Sequence, residues 1–290
     1  GWNPIGDDSN PFAGIFNGNG YAVRNLWIDR STNFVGLFGF IGDAQIKNLG
    51  VEIDSSKGGV KGGQYVGAIA GRIDGGSITN SYSTGEVSGI YYVGAIAGYV
   101  NTNSSITNSY STGNIGGNTY VGAIAGYVDN SFITDSYSAG DVSGEISVGG
   151  IAGAVYYDSS ITNSYSTGNV SGDTYVGGIA GDIFTSTIEN NAAINQEVNG
   201  SSDVNRIVGY ISGGSVQNNF AIDTMTTNFG GGFSDAGAPA NNGTPRSIDD
   251  FKSQSTYESD LGWRFGNNDA NPWQIDPNKN GGYPYLYWQK

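Results

Sequence analysis

Four carboxylates come nearest to the spacing that catalysis needs: Asp74 and Asp129 are 55 residues apart, and so are Glu86 and Asp141. Two carboxyl groups at a fixed separation can serve as general acid and general base on a glycosidic bond. Other chemistry is narrowed by what the chain lacks. With no His and no Cys among 290 residues, the usual catalytic triads and the zinc sites built on those ligands are excluded. Asp276-Pro277-Asn278-Lys279-Asn280-Gly281 matches the first half of a calcium loop, with Asp276, Asn278 and Asn280 as candidate ligands. Its twelfth position is Tyr287, where a bidentate Glu belongs, so a plain turn competes with Ca2+ there. Asp7-Asp8 is a weaker calcium candidate, and no other cofactor is expected.

Whether those acids meet depends on the elements that carry them, and the chain is strongly periodic. Tyr-Val-Gly-Ala-Ile-Ala-Gly stands at 65–71, 92–98 and 120–126, with relatives at 147–153, 175–181 and 208–213. The Val positions 35, 66, 93, 121, 148, 176 and 208 step by 27 to 32 residues. A second phrase, Ile78-Thr79-Asn80-Ser81-Tyr82-Ser83-Thr84-Gly85, keeps the same beat at Ile106, Ile133 and Ile161. Periods of this size mean stacked repeats. Leucine-rich repeats have a similar period, but these units are almost free of Leu and rich in strand formers punctuated by Gly and Asn.

The expected fold is therefore all-β: a parallel β-helix, or solenoid, of about eight coils with three short strands per coil and a cap at each end. Identical positions would stack about 4.8 Å apart, giving a column about 38 Å tall. Val23, Ile46, Ile78, Ile106, Ile133, Ile161, Ile188 and Val216 form one expected apolar ladder. Ile69, Ile96, Ile124, Ile151 and Ile179 form a second, and Ile73, Val100, Val128, Val155 and Ile183 a third. Two positions after the first ladder runs a polar one: Asn25, Asn48, Asn80, Asn108, Asp135, Asn163, Asn190 and Asn218. Stacked amides there suit a tight corner. On this geometry Asp74 and Asp129 lie about 9.6 Å apart, at the edge of the roughly 6.5–9.5 Å of inverting glycosidases. The interleaved Asn101 and Asn114 also simply keep like charges apart.

If the chain bends at the Asn ladder, Ser81 and Ser83 point inward. Tyr82 then points out, with Trp27, Tyr110, Tyr137, Tyr165 and Phe220 as an exposed aromatic stripe. Aromatic faces stack on sugars, so these six are the candidate ligand-binding residues. The competing role is stabilisation of neighbouring rungs. Phe34, Tyr65, Tyr92, Tyr120 and Tyr175 form a second column, broken by Ser147. Ranks of Thr (Thr79, Thr107, Thr134 and Thr162; Thr84, Thr112 and Thr167) raise ice binding as an alternative.

Lys and Arg number 12 against 26 Asp and Glu, a net charge of −14. That balance argues against nucleic acid and anionic membrane as partners. No apolar run of about 18 residues is present, so no membrane insertion is expected. The chain opens directly in sequence of the folded type, so a secretion signal is expected to lie outside it or to have been removed.

The recurring Val-Gly-Gly/Ala-Ile-Ala-Gly, with Asn-Ser-Tyr-Ser-Thr-Gly-Asn-Val-Ser-Gly, resembles the GLUG motif, whose core Gly36-Leu37-Phe38-Gly39 nearly spells. Trp2 to Gly6 and Phe12 to Tyr21 resemble the segment that commonly leads into such repeats, and Trp273 with Gly281 to Leu286 resembles sequences found after them. The resemblance implies a right-handed parallel β-helix in secreted or surface-anchored bacterial proteins. These include adhesin-like proteins and the non-catalytic region of some immunoglobulin-A-cleaving metallopeptidases. It transfers no catalytic residue. The departure, Ala for the second Gly, is sterically mild.

Residues 1–33 are read as the N-terminal leading segment and first coil, 34–223 as the repeats and 224–290 as an aromatic-rich cap. Within the cap, 224–246 reads as a loop and 248–254 as a short helix behind Ser247, with an apolar plug of Trp263, Phe265, Trp273, Tyr283, Tyr285 and Trp288 after it. The expected function is a non-catalytic, adhesive module of an extracellular or cell-surface bacterial protein. It would bind surface glycan or protein through a repetitive face, with self-association left open. A polysaccharide-active enzyme and an ice-binding protein are the alternatives.

Overall fold

The computed structural model describes residues 1–230, 232–233 and 239–289. Parts of the expected loop and cap, at 231, 234–238 and 290, lie outside the described residues. The chain is an all-β parallel solenoid of about eight turns with three parallel sheets. One sheet has six strands, from Gln64–Val66 to Ser202–Asn205, and another has seven, from Ile28–Asp29 to Val198–Asn199. The largest sheet takes most of each coil. There the strand is cut into pieces, such as Ala125–Asp129, Phe132–Thr134 and Tyr137–Ser138. The cuts fall where Asn130 (φ 43°) and Asp135 (φ 48°) turn the chain through the left-handed region, which Asn and Asp tolerate best.

Register follows the repeat. Ile106 lies between Ile78 and Ile133, and Val100 between Ile73 and Val128, all fully buried. From Asn48 to Asn218 every residue of the Asn ladder has φ between 48° and 59°, so the ladder marks a corner; Asn25 falls out of it, and Asn17 is the residue that bonds Asn48 in the first coil. Ser81, Ser109, Ser136 and Ser164 come directly after it and face inward. Each hydroxyl donates to the carbonyl two residues back, as Ser109 does to Thr107 O at 2.9 Å. Each also accepts the N–H of the preceding coil, as Ser109 Oγ does from Ser81 N at 3.3 Å. The corner thus satisfies backbone groups that the broken strand leaves over.

The glycines of the repeated phrase are set by close approach. A Cβ on Gly126 would lie 2.4 Å from Val93 N and 2.5 Å from Tyr92 C, and one on Gly122 would lie 2.3 Å from Ala125 O. The position between them is less uniform than the sequence suggested. Ala68, Ala95 and Ala123 fit there, whereas a Cβ on Gly150 would lie 2.1 Å from Gly178 O and 2.4 Å from Ser166 Oγ. Ala is therefore mild only in the coils that carry it.

The first coil departs from the expected ladder. Phe16, not Val23, stands beside Ile46, and Val23 pairs with Val51. The cause is a bulge over residues 18–20: Asn17 pairs with Lys47 but Tyr21 with Leu49, and Asn19 (φ 52°) and Gly20 (φ 77°) turn through the left-handed region.

The C-terminal stretch splits in two. Thr244–Arg246 pairs in parallel with Phe220–Ile222 and covers the edge of the last coil. Ser247 and Asp250 then exchange hydrogen bonds, Ser247 N to Asp250 Oδ2 at 3.0 Å and Asp250 N to Ser247 Oγ at 3.3 Å. In place of a helix over 248–254 there is one 3-10 turn, Asp250–Lys252, and a wider π turn, Thr256–Asp260. From Trp263 onward the chain does not plug the end of the solenoid. It lies along its side, bonded to coils as far apart as those of Asn190 and Asn80.

Candidate functional site

The side it lies on is the tyrosine column. Tyr82, Tyr110, Tyr137 and Tyr165 are in register on successive coils, with ring centroids 5.1, 5.0 and 4.8 Å apart and planes within 7°. Rings stacked this closely hide their faces from any ligand, so only the ends of the column offer an aromatic platform.

The C-terminal segment then covers most of the outer rim. Trp273 is fully buried 5.9 Å from the Tyr165 ring and 4.7 Å from Trp263. Its Nε1 donates to Asp135 Oδ1 at 3.1 Å. Trp263 Nε1 donates to Asn190 O at 2.7 Å, Tyr165 Oη to Pro284 O at 2.6 Å and Gln289 Nε2 to Tyr137 Oη at 2.6 Å. The expected exposed stripe is corrected accordingly. Tyr137, Tyr165 and Phe220 are 2, 1 and 4% exposed, and Arg246 stacks on Phe220 at 4.4 Å. Outward tyrosines are a large apolar area, and the tryptophans remove that area from water. Trp27 is corrected too. The bulge shifts the register so that Ala22 and Gly50 continue the column, while Trp27 stands near Lys57.

Tyr82 and Tyr110 remain half-buried, at the end where the stack stops. Gly50 lies below Tyr82 and takes that face of the ring in place of an aromatic partner: a Cβ there would lie 2.5 Å from Tyr82 Cε1 and Cζ. Trp288 closes the side, 6.4 Å from the Tyr82 ring and 5.6 Å from Tyr110. Together with Asn48, Leu49, Asn80, Gln289, Gly20 and Gly50 these rings line a cavity of about 270 Å³. Asn80 Nδ2 donates to Asp269 Oδ1 at 2.9 Å and Asn48 Oδ1 at 3.3 Å, but its Oδ1 is buried without a partner. Trp288 Nε1 is likewise buried and unpartnered. Tyr82 Oη donates to Glu52 Oε1 at 3.0 Å, and Arg24 holds the other oxygen at 3.1 Å. Burial first, then the bond to Glu52, pushes the Tyr82 phenol up to about 12, so it stays a neutral donor. The Asn ladder also serves the C-terminal segment here: Asn80 and Asn108 donate to Asp269, and Asp135 accepts from Trp273.

The calcium motif is an Asx turn. Asn278 N donates to Asp276 Oδ1 at 2.8 Å, while the Asn280 amide is spent on Tyr165 Oη at 2.5 Å and Pro284 O at 2.7 Å. Asp7 Oδ1 is taken by Ser9 N and Asn10 N. Among the described residues, no three His, Cys, Asp or Glu side chains gather as a metal site. Three of the four carboxylates of the two columns are engaged locally. Asp74 pairs with Arg72, Asp129 accepts from Tyr99 Oη at 3.0 Å, and Asp141 Oδ1 accepts from Asn169 N at 2.8 Å. Thr79, Thr107, Thr134 and Thr162 are in register and half-buried.

Asp135 is the one acid of the Asn ladder. Burial raises its carboxyl above 3.8, while the Trp273 bond and Arg264, 3.9 Å away, pull it back. A group that binds its proton more tightly folded than unfolded stabilises the fold at low pH. That contribution is lost as pH rises from 3.8 through the folded value. Asp182 is raised for the same first cause. Asp135→Asn should therefore flatten the fall of stability over that window, read as the difference between variant and wild-type melting curves across pH.

Sequence reasoning places Trp288 only within a plug and misses Gln289 and Gly50. Gly50 was legible as the rung where the tyrosine column lacks a ring. Comparison with known proteins agrees with this architecture. The family described as "The GLUG motif" matches residues 62–88 and 144–171. A "Putative Gly-rich membrane protein" of Evansella cellulosilytica is 46% identical over 56 residues, which is 19% of this chain and 6% of that protein. The crystal structure of a "putative immunoglobulin A1 protease" from Bacteroides ovatus superimposes with a TM-score of 0.68 at 22% identity, over 99% of this chain and 95% of that one. At that identity the likeness is one of fold.

Proposed function

We propose that this GLUG-motif β-solenoid is the non-catalytic binding module of a secreted or cell-surface protein, and that it holds a neutral sugar ring of a glycan between Trp288 and the Tyr82 end of the tyrosine column. One observation carries the reading: the cleft brings the aromatic side chains of Tyr82, Tyr110 and Trp288 together with a buried acceptor, Asn80 Oδ1, and a buried donor, Trp288 Nε1, neither with a partner. A hydroxyl both donates and accepts, so a polyhydroxylated ring satisfies both after small side-chain turns, while its C–H face stacks on the aromatic wall. The cavity, about 270 Å³, is near the lower end of ligand pockets and suits one ring of a chain. Glu52 beside Tyr82 and the net charge of −14 disfavour an acidic sugar.

The names of the similar proteins fit a surface or protease-associated setting. Tyr110→Ala should abolish retention of neutral oligosaccharides in affinity electrophoresis, whereas acidic ones should not be retained even by the wild type. Unchanged retention by the variant would refute the site, and release of reducing ends from the glycan would refute a non-catalytic role. Tyr137 is a core residue, 2% exposed, and its replacement reports on folding.

A further inference from the structure

On a different face runs a second register column: Phe40, Arg72, Tyr99, Tyr127, Ala154, Asp182 and Tyr210. Beside it stand Phe34, Tyr65, Tyr92 and Tyr120, stacked 5.0 to 5.3 Å apart. Both columns lose their ring in the same coil, at Ser147 and at Ala154. The next coil places a carboxylate there. Asp182 is 6% exposed; its Oδ2 accepts from Tyr156 Oη, and its Oδ1 is buried without a partner. Tyr156 closes the gap by leaning across, its ring 5.1 Å from Tyr127 and tilted by 56°. Around this coil Ile146, Tyr157 and Tyr210 are 43, 51 and 40% exposed.

The chain shows what such a gap takes. Nearer the N-terminus the column residue is Arg72. Its guanidinium lies 4.9 Å from the Phe40 ring and 5.5 Å from the Tyr99 ring and pairs with Asp74 at 2.5 Å. Aromatic walls with a carboxylate between them are a guanidinium site. At Ala154 the column offers one ring, Tyr127, on one side and the Asp182 carboxylate on the other, Tyr156 leans over as the second ring, and the column residue itself carries no cation.

We propose that the interrupted coil is a docking site for the arginine side chain of a partner protein, with Asp182 as its counter-charge and Tyr156 as the ring that swings aside. A carboxylate that draws on one phenol and the neighbouring Ile183 amide, with Oδ1 short of a full hydrogen bond, is half of a bidentate pair. A guanidinium offers the two parallel N–H groups that complete it. The exposed Ile146, Tyr157 and Tyr210 supply the apolar rim around a buried charge.

The test is an NMR titration, followed at the Ala154 and Tyr156 amides, with N-acetyl-arginine amide and its neutral isostere N-acetyl-citrulline amide. The arginine probe should give a saturable shift and the citrulline probe none. Asp182→Asn should weaken binding about tenfold or more. Tyr156→Phe, which frees Oδ2, should tighten it several-fold, and Ala154→Arg should abolish it while raising the melting temperature. Equal binding by wild type and Asp182→Asn, or no saturable shift with Tyr156→Phe, would overturn the proposal.

Discussion

Gly126→Ala is expected to cost the fold at least about 3 kcal/mol, near the upper end for overpacking, because the added methyl meets backbone. Its Cβ would stand 2.4 Å from Val93 N and 2.5 Å from Tyr92 C, atoms of the preceding coil that cannot rotate away. In a solenoid each coil is held by its neighbours, so one displaced rung weakens two interfaces. Gly116→Ala is the control: its nearest atom would be Ser143 Oγ at 3.6 Å, an ordinary contact, and the change should be close to neutral. Denaturant unfolding of the two variants beside the wild type decides it. Equal midpoints would mean that the coils do not approach as described.

Trp273→Ala carries the second large effect, about 4 kcal/mol for a fully buried Trp. The substitution removes ring contacts to Trp263, Tyr165 and Tyr137 and strips Asp135 Oδ1 of its donor. A buried carboxylate left without that bond adds to the loss. The coils keep their own hydrogen bonds, so the expected outcome is release of the C-terminal segment from a standing solenoid. Limited proteolysis should cut the variant between 263 and 289 while its β-type circular dichroism persists. Resistance equal to the wild type would show that Trp273 does not anchor the segment.

The interior of this fold is written rung by rung in the sequence. A residue whose nearest neighbour is its own copy must match it in shape, so Ile78, Ile106 and Ile133 could be aligned by eye and are paired as aligned. The Asn corner was readable for a similar reason, since its residues share one backbone conformation. What could not be read was anything that depends on register slips or on contacts across long sequence distances. The bulge at 18–20 moved Trp27 off the tyrosine column. The burial of Tyr165 comes from Pro284 and Asn280, 119 and 115 residues away. A clue was present in Asp135, the lone acid among asparagines, which stands where Trp273 and Arg264 need an acceptor. Ser147 and Ala154 were a second clue, two breaks that fall in one coil.

The cleft between Trp288 and Tyr82 is the proposed sugar site. The most direct measurement is a glycan array probed in parallel with the wild type and with Trp288→Ala, whose half-buried ring can be removed with little cost to the core. Neutral glycans should be bound by the wild type, with affinity reduced about thirtyfold in the variant, as for a hot-spot residue of about 2 kcal/mol. The same glycans bound equally by both proteins would contradict the proposed site.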